Sequence, residues 1–218
     1  MMQRLLEWWR GGTAVVEPAT ARDAARLAQL HGASFARGWG EGEFESMLSE
    51  RNTLVHRLRL GRKIIGFAVS RIGADEAEIL SVAVDQAYRG RGLSRTLLLT
   101  HLGHLAGRGV RTIFLEVEEN NQPARQLYAR CGFVVVGRRE RYYKQPDGEQ
   151  LNALLMRRDL SLSRWHAAPG RQTNNDRIET YFRIKGDRHR GALCRHRHAH
   201  DRAAPRHCQG AGGGSGSS

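Results

Sequence analysis

The feature that most constrains this chain is a glycine-rich turn that joins a strand pattern to a helix pattern. Residues 78–84 are strand-like, residues 88–94 read Tyr-Arg-Gly-Arg-Gly-Leu-Ser, and a leucine-rich helix pattern follows over residues 97–105. The first N–H groups of a helix have no partner within it, and the helix dipole favours negative charge there. Glycines allow a ligand to approach the backbone closely. The stretch therefore predicts a binding site for a phosphorylated ligand.

Three kinds of phosphate-binding turn can be compared with this one. A P-loop requires a Gly-Lys-Ser/Thr ending, and this turn contains no lysine. A dinucleotide-binding turn requires a third glycine where Arg95 stands, and residues 85–88 separate the strand from the glycines. The third is Arg/Gln-x-x-Gly-x-Gly/Ala, the pyrophosphate loop of the GNAT acetyltransferases. Arg89 and Gly92 match it, and Ser94 stands where that family has Gly or Ala.

Over roughly residues 13–160, the chain resembles the RimI type of GNAT enzyme, the ribosomal-protein-alanine N-acetyltransferases. The matching segments occur in order as Ser-Val-Ala-Val-Asp at 81–85, the turn at 88–94, Leu-Glu-Val at 115–117, Leu-Tyr at 127–128, Gly-Phe at 132–133, Tyr-Tyr at 142–143 and Asp-Gly-Glu at 147–149. The resemblance implies an α/β fold of the GNAT acyl-CoA N-acyltransferase type. It also implies acetyl-CoA as the cosubstrate, with no metal.

Hydrophobic periodicity predicts the element order βααβββαβαββ over the same residues. Thr20 stands before a helical pattern at residues 24–31 whose inward positions include His31. A hairpin at residues 61–62 joins two strands. This order predicts a mixed sheet with helices on both faces, which agrees with the GNAT fold; the resemblance implies that the sheet is mostly antiparallel.

Composition divides the chain into three parts. Residues 161–218 hold 11 of the 35 Lys/Arg residues and 4 of the 22 Asp/Glu residues, contain few aliphatic side chains and end in a Gly/Ser run. We therefore expect a lead-in at residues 1–12, a GNAT domain at residues 13–160 and a mostly disordered, basic tail at residues 161–218.

The cysteines and histidines predict neither a metal site nor disulfides. The tail holds ligand-type residues but no Cys-x-x-Cys pair and no core to fix their geometry; they are His189, Cys194, His196, His198, His200, His207 and Cys208. With Cys131, the chain has three cysteines and no disulfide framework, which favours a reducing, cytoplasmic location. No apolar run approaches transmembrane length, so we expect no membrane partner.

Acetyl transfer to an amine needs a neutral amine, a polarised thioester carbonyl and a proton for the departing thiolate. An α-amino group has a pKa of about 8 and a lysine side chain one of about 10, so the α-amine loses its proton more readily at neutral pH. Glu116, near a strand end beside the turn, could take that proton directly or through water. Spacing alone favours a strand-end carboxylate paired with an arginine, whereas the resemblance implies that Glu116 is the general base.

The resemblance also implies roles around the thioester. Tyr128 would donate a proton to the coenzyme A thiolate; half-buried packing is the alternative. Asn121 would hydrogen-bond the pantetheine arm; capping the following helix is the alternative. The backbone of Val82, Ala83 and Val84 would meet the acyl-pantetheine. The residues implied to hold the rest of the cosubstrate are Arg89, Gly90, Arg91, Gly92, Leu93, Ser94 and Arg95.

The resemblance implies an acceptor groove bordered by Phe35, Trp39, Tyr142 and Tyr143. Core packing of the first two, and an exposed hairpin flank for the second two, are the alternatives. The implied acceptor is a protein N-terminus, specifically the N-terminal alanine of a small-subunit ribosomal protein. Two other functions stay open: acetylation of lysine or a small-molecule amine, and a non-catalytic RNA- or ribosome-binding module, which the net charge of +13 would suit.

Overall fold

The computed structural model describes residues 13–144 and 150–160, and for residues 141–144, 150 and 151 it describes the backbone alone. Within these residues the strands are β1 Ala14–Pro18, β2 Thr53–Leu60, β3 Lys63–Gly73, β4 Glu76–Val84, β5 Thr112–Glu118, β6 Val134–Lys144 and β7 Gln150–Asp159. The α-helices are α1 Ala24–Gly32, α2 Glu41–Ser49, α3 Leu93–Gly107 and α4 Gln122–Arg130. The predicted order βααβββαβαββ is confirmed. The predicted lead-in and tail lie outside the described residues.

The described strands form one sheet in the order β1-β2-β3-β4-β5-β7-β6. β4 and β5 run parallel, and the other neighbouring pairs are antiparallel. One face packs against α3, through Leu98, Leu102 and Leu105, and against α4. The other face packs against α1 and α2 through Leu27 and Phe44. The predicted mixed, mostly antiparallel sheet with helices on both faces is confirmed.

The start of α1 differs from the prediction. The sequence predicts Thr20 directly before the helix, but one turn of 3₁₀-helix, Ala21–Asp23, stands between them. The Asp23 carboxylate accepts hydrogen bonds from the Thr20 N–H at 2.7 Å and from Thr20 Oγ1 at 3.0 Å. Asp23 also pairs with Arg57 of β2 at 2.6 Å. The buried Asp23 therefore closes this turn and joins it to the sheet.

The parallel pair β4 and β5 opens into a cleft. Their register pairs end at Ile79 and Leu115. Leu80 is an extra residue on β4, because Ile79 lies opposite Ser70 and Ser81 lies opposite Val69 of β3. Beyond this bulge β4 stays paired with β3, and β5 stays paired with β7. The two strands therefore separate at the middle of the sheet, beyond Ile79 and Leu115.

A buried polar cluster lies between the sheet and α3. His56 of β2 and His101 of α3 share a hydrogen bond of 2.7 Å between their Nδ1 atoms. His101 Nε2 lies 2.7 Å from Ser70 Oγ of β3. Burial, with the nearby charges of His104 and Arg108, lowers the pKa of His56 to about 4, and burial beside His56 lowers that of His101 to about 3. Both rings are therefore neutral in the folded protein at neutral pH.

Mild acid should destabilise the fold. His31, His56 and His101 have pKa values of about 4, 4 and 3, below the ordinary value of 6.5. Below pH 6.5 the unfolded chain binds protons that the folded chain does not, so the free energy of unfolding falls as pH drops toward 4. Each histidine should cost at most about 2 kcal/mol at pH 5. Thermal melts at pH 7.5 and pH 5 should therefore differ by roughly 5 °C or more.

The carboxylates provide an internal control for this measurement. Glu17 is paired with Arg57 and Arg59, and the pKa values of Glu17 and Asp23 are lowered from 4.5 and 3.8. Their stabilisation is lost only as pH falls below those ordinary values. A melting temperature that stays constant down to pH 5 and then falls would assign acid sensitivity to the carboxylates and contradict the prediction for the histidines.

Candidate active site

The glycine turn has the geometry that the sequence predicts for an anion site. Gly90 and Gly92 have φ values of +76° and +74°, in the left-handed region that residues with a Cβ avoid. Gly92 directly precedes α3, and no side chain of the described residues caps that helix. The N–H groups at the start of α3, on Leu93 and Ser94, are thus presented without a capping side chain. Such N–H groups at a helix start are suited to bind the pyrophosphate of a coenzyme.

Two arginines of the turn are held against the protein backbone. Arg89 Nε donates to the Val84 carbonyl at 2.8 Å, at the end of β4. Arg91 donates to the Ala87 carbonyl at 3.3 Å and lies over the Tyr88 ring at 5.5 Å. Arg89 therefore fixes the path from β4 into the turn, and both guanidinium groups add positive charge beside the α3 start.

Replacing Gly92 with alanine should weaken acetyl-CoA binding. The left-handed conformation costs a residue with a Cβ roughly 1–2 kcal/mol, although a Cβ at Gly92 would meet nothing within 4 Å. We expect a melting temperature lower by a few degrees and a dissociation constant for acetyl-CoA raised about tenfold, as the turn shifts to relieve this strain. Isothermal titration calorimetry would measure the second effect.

The matched control is Gly103→Ala on α3. A Cβ at Gly103 also meets nothing within 4 Å, but its φ lies outside the left-handed region. Alanine there should stabilise the helix by up to about 1 kcal/mol and leave binding unchanged. Equal acetyl-CoA affinity for the Gly92→Ala and Gly103→Ala variants would show that the turn geometry does not matter for the ligand.

Glu116 is the first residue of β5 past the last β4–β5 pair. Its side chain is 5% exposed, and Oε1 lies 3.4 Å from Nε of Arg139 on β6. Leu155 of β7 and Gly137 of β6 lie in the same row of the sheet as Glu116. Because Gly137 has no side chain, Arg139, two residues further along β6, can reach across β7. The arginine-paired carboxylate that spacing favoured is thus observed, and it lies at the cleft that the base role requires.

Tyr128 projects from α4 into the apolar cluster that α3 and the sheet form, against which Val82 of β4 also packs. Its ring lies 5.8 Å from the Phe133 ring in an edge-on arrangement. Burial, with the nearby Cys131 thiol, raises the pKa of Tyr128 to about 12. The phenol therefore keeps its proton at neutral pH, as a proton donor must before it acts.

Asn121 caps α4. Its Oδ1 accepts a hydrogen bond from the Ala124 N–H at 3.1 Å, and Pro123 follows in the first turn. The helix-cap interpretation of Asn121 is confirmed. The side-chain amide nitrogen takes no part in this cap, so a contact with pantetheine stays a prediction.

The α1–α2 connection carries the predicted acceptor-side aromatics. The Trp39 ring stacks on the His31 ring, with 4.3 Å between their centroids, and packs against the buried cluster of α1 and α2. The centroid of the Phe35 ring lies 4.4 Å from that of His31, and Phe35 is 40% exposed. The Trp39 N–H donates to His31 Nδ1 at 3.0 Å. Burial lowers the pKa of His31 to about 4, so the ring stays neutral and can accept this bond.

Sequence reasoning assigned His31 to the packed face of a helix and missed its hydrogen bond across the loop. Tyr142 and Tyr143 lie on β6, and their side chains lie outside the described part of the chain.

In residues 13–144 and 150–160, no three His, Cys, Asp or Glu side chains come together to hold a metal ion. No described helix is long and apolar enough to cross a membrane.

Solved structures with the same fold define the class. The ribosomal-protein-S18-alanine N-acetyltransferase from Escherichia coli is similar with a TM-score of 0.65 and 29% identity, over 72% of this chain and 99% of that one. A putative acetyltransferase from Salmonella typhimurium, solved with acetyl-CoA, shares the fold with a TM-score of 0.63 at 21% identity, over 74% of this chain and 100% of that one. The fold is that of the acyl-CoA N-acyltransferases.

Residues 24–133 match the Acetyltransferase (GNAT) family, and the chain belongs to this family. It is an acetyl-CoA-dependent N-acetyltransferase. It is 34% identical to the bS18-alanine N-acetyltransferase of Haemophilus influenzae, over 65% of this chain and 96% of that protein. It is 36% identical to the N-alpha-acetyltransferase RimI of Mycobacterium tuberculosis, over 67% of this chain and 96% of that protein. The RimI-type resemblance is confirmed.

Proposed function

We propose that this enzyme acetylates the N-terminal α-amino group of a protein, with the N-terminal alanine of ribosomal protein bS18 as its acceptor. The observation that carries the proposal is the identity of 31–36% with bS18-alanine N-acetyltransferases, which extends over 82–97% of their lengths. The cleft between β4 and β5 supports it, because the glycine turn and the Glu116 carboxylate both border that cleft.

Acetyl-CoA supplies the acetyl group as an activated thioester. In this proposal the backbone N–H groups from Gly90 to Ser94 bind the pyrophosphate, and Arg89, Arg91 and Arg95 balance its charge. The backbone of Val82, Ala83 and Val84 follows the bulge, where β4 is no longer paired with β5. N–H groups there polarise the carbonyl that is attacked. Asn121 hydrogen-bonds the pantetheine arm beside its role as a helix cap.

In this proposal Glu116 accepts one proton and Tyr128 donates another. The Glu116 carboxylate takes a proton from the acceptor amine, directly or through one water, so that the nitrogen lone pair can attack. The Tyr128 phenol, which is protonated because its pKa is raised to about 12, gives its proton to the departing sulfur. An α-amine has a pKa of about 8 and a lysine side chain one of about 10, so Glu116 removes the proton of the α-amine more easily. This difference favours an N-terminal acceptor.

The acceptor peptide enters, in this proposal, from the face of the sheet that carries α1 and α2. Phe35, Trp39, Tyr142 and Tyr143 border its path. The exposure of Phe35, at 40%, supports a ligand contact there, whereas the stacking of Trp39 on His31 also holds the loop in place. The net charge of +13 supports a further contact with ribosomal RNA, in the cytoplasm, that salt would weaken.

The test is thiol release from acetyl-CoA with a panel of short peptides. The peptides differ in their first residue, and half carry a blocked N-terminus and an internal lysine. We expect turnover confined to free N-termini and fastest with alanine first. Turnover on blocked peptides would move the acceptor to lysine. No turnover on any peptide, with acetyl-CoA still bound, would overturn the proposed acceptor and favour a small amine or a binding role.

A further inference from the structure

Ser81 on β4 has a buried hydroxyl that the fold does not use. The residue is 7% exposed, and its Oγ finds no hydrogen-bond partner among residues 13–144 and 150–160. Burying a hydroxyl without a partner costs folding free energy, because its hydrogen bonds to water are lost and not replaced. A polar group of this kind beside a ligand cleft is explained if the ligand supplies the partner.

The register of the sheet places Ser81 at the cleft. Ser81 lies opposite Val69, which packs against α1 and α2, and directly follows the bulge at Leu80 where β4 leaves β5. Glu116 is the first β5 residue past the same point. Because Leu115 packs in the cluster of α3, the alternation of side chains along β5 directs Glu116 to the α1–α2 face. Ser81 and Glu116 therefore stand on the same face, one on each strand.

We propose that the Ser81 hydroxyl accepts a hydrogen bond from the α-amino group of the acceptor and orients its lone pair toward the thioester. This inference rests on the proposed function. The glycine turn leads into α3 on the opposite face, so the face of Ser81 and Glu116 is left for the acceptor. A neutral amine keeps two N–H bonds after Glu116 takes its proton. One of them can bind Ser81 while the lone pair attacks.

Ser70 on the neighbouring strand β3 is a matched control. It is also buried, at 0% exposed, but its Oγ is bonded to His101 Nε2 at 2.7 Å. Removing this satisfied hydroxyl leaves the buried Nε2 atom of His101 without its partner and should lower stability. Removing an unsatisfied one should not. The Ser70→Ala and Ser81→Ala variants therefore separate a structural serine from one that serves a ligand.

The experiment measures steady-state kinetics and melting temperatures for the wild type and both variants, with acetyl-CoA and a peptide that starts with alanine. For Ser81→Ala we expect a kcat/KM for the peptide lowered about tenfold, a KM for acetyl-CoA within about twofold of wild type, and a melting temperature no lower than wild type. For Ser70→Ala we expect a melting temperature lower by roughly 2–4 °C and unchanged constants for both substrates.

A dead-end inhibitor tests the atom that Ser81 contacts. The same peptide with propionyl in place of its alanine lacks the amine, so its inhibition constant should be equal for wild type and Ser81→Ala. An inhibition constant that rises about tenfold in Ser81→Ala would assign the hydroxyl to the peptide backbone and overturn the contact with the amine.

The role of Ser81 and the proposed function fail in different ways. If wild type acetylates free N-termini and Ser81→Ala has the same kcat/KM, or melts lower in the manner of Ser70→Ala, the role of Ser81 alone is overturned. If wild type acetylates no free N-terminus, the proposed acceptor fails, and the role of Ser81 fails with it.

Discussion

Replacing Glu116 with glutamine should give a folded enzyme that binds acetyl-CoA and has lost most of its turnover. Glutamine has the same shape and can keep the place of Glu116 beside Arg139, whose Nε lies 3.4 Å from Glu116 Oε1 in the native protein. An amide cannot take a proton from the amine. Positioned general bases contribute about 10²- to 10⁴-fold, and we expect a loss of kcat in this range. Thiol release at saturating acetyl-CoA would measure it.

Glu119→Gln is the matched control for Glu116→Gln. The Glu119 carboxylate pairs with Arg138 at 2.8 Å and accepts a hydrogen bond from Asn152 at 2.8 Å, past the end of β5. This variant loses the same kind of ion pair outside the cleft, so its kcat should stay within about twofold of wild type. A Glu116→Gln enzyme with normal kcat would refute the base role and leave Glu116 as the partner of Arg139 only.

Replacing Tyr128 with phenylalanine should lower kcat by about 10²-fold, the lower part of the range for general acids. The change removes only the hydroxyl and keeps the ring that packs edge-on against Phe133 at 5.8 Å. Since burial raises the pKa of Tyr128 to about 12, the phenol is protonated throughout the range from pH 6 to pH 9. The effect should therefore appear as a uniform loss of kcat across pH 6–9, with acetyl-CoA affinity unchanged.

Phe133→Leu separates packing from chemistry at this position. It removes the ring contact of Tyr128 but keeps the phenol, and Phe133 is 3% exposed. We expect a melting temperature lower by several degrees, from the cavity, with much of the turnover kept. If kcat fell as far in Phe133→Leu as in Tyr128→Phe, loss of packing would explain both effects. The proton-donor role of the Tyr128 hydroxyl would then be wrong.

Local signals in the sequence predicted the elements well. The element order is confirmed. The glycines at 90 and 92 adopt the left-handed conformation that a tight turn before a helix needs. These features depend on residues close together in the chain, where periodicity and backbone sterics act directly. The exception was α1, where the Asp23 side chain, held by Arg57 from β2, produced an extra turn.

The partners of the polar side chains could not be predicted in the same way. Glu116 and Arg139 are 23 positions apart in the sequence and meet only because β7 pairs with both β5 and β6, so that Arg139 can reach across it. The buried bond between His56 and His101 spans 45 positions. The unpartnered Ser81 hydroxyl depends on a bulge that one-dimensional alternation does not reveal. The bond from Trp39 to His31 crosses a loop whose path no periodicity describes.

The sequence by itself determined the α/β architecture and the glycine turn before α3, because each depends on short-range pattern and intrinsic backbone preference. Only the tertiary structure decided that β4 and β5 separate after Ile79 and Leu115, and that Glu116 enters this cleft paired with Arg139. It also decided that Ser81 shares that face without a partner among the described residues. The physical reason is that burial and pairing of polar groups depend on strand register, which long-range contacts set.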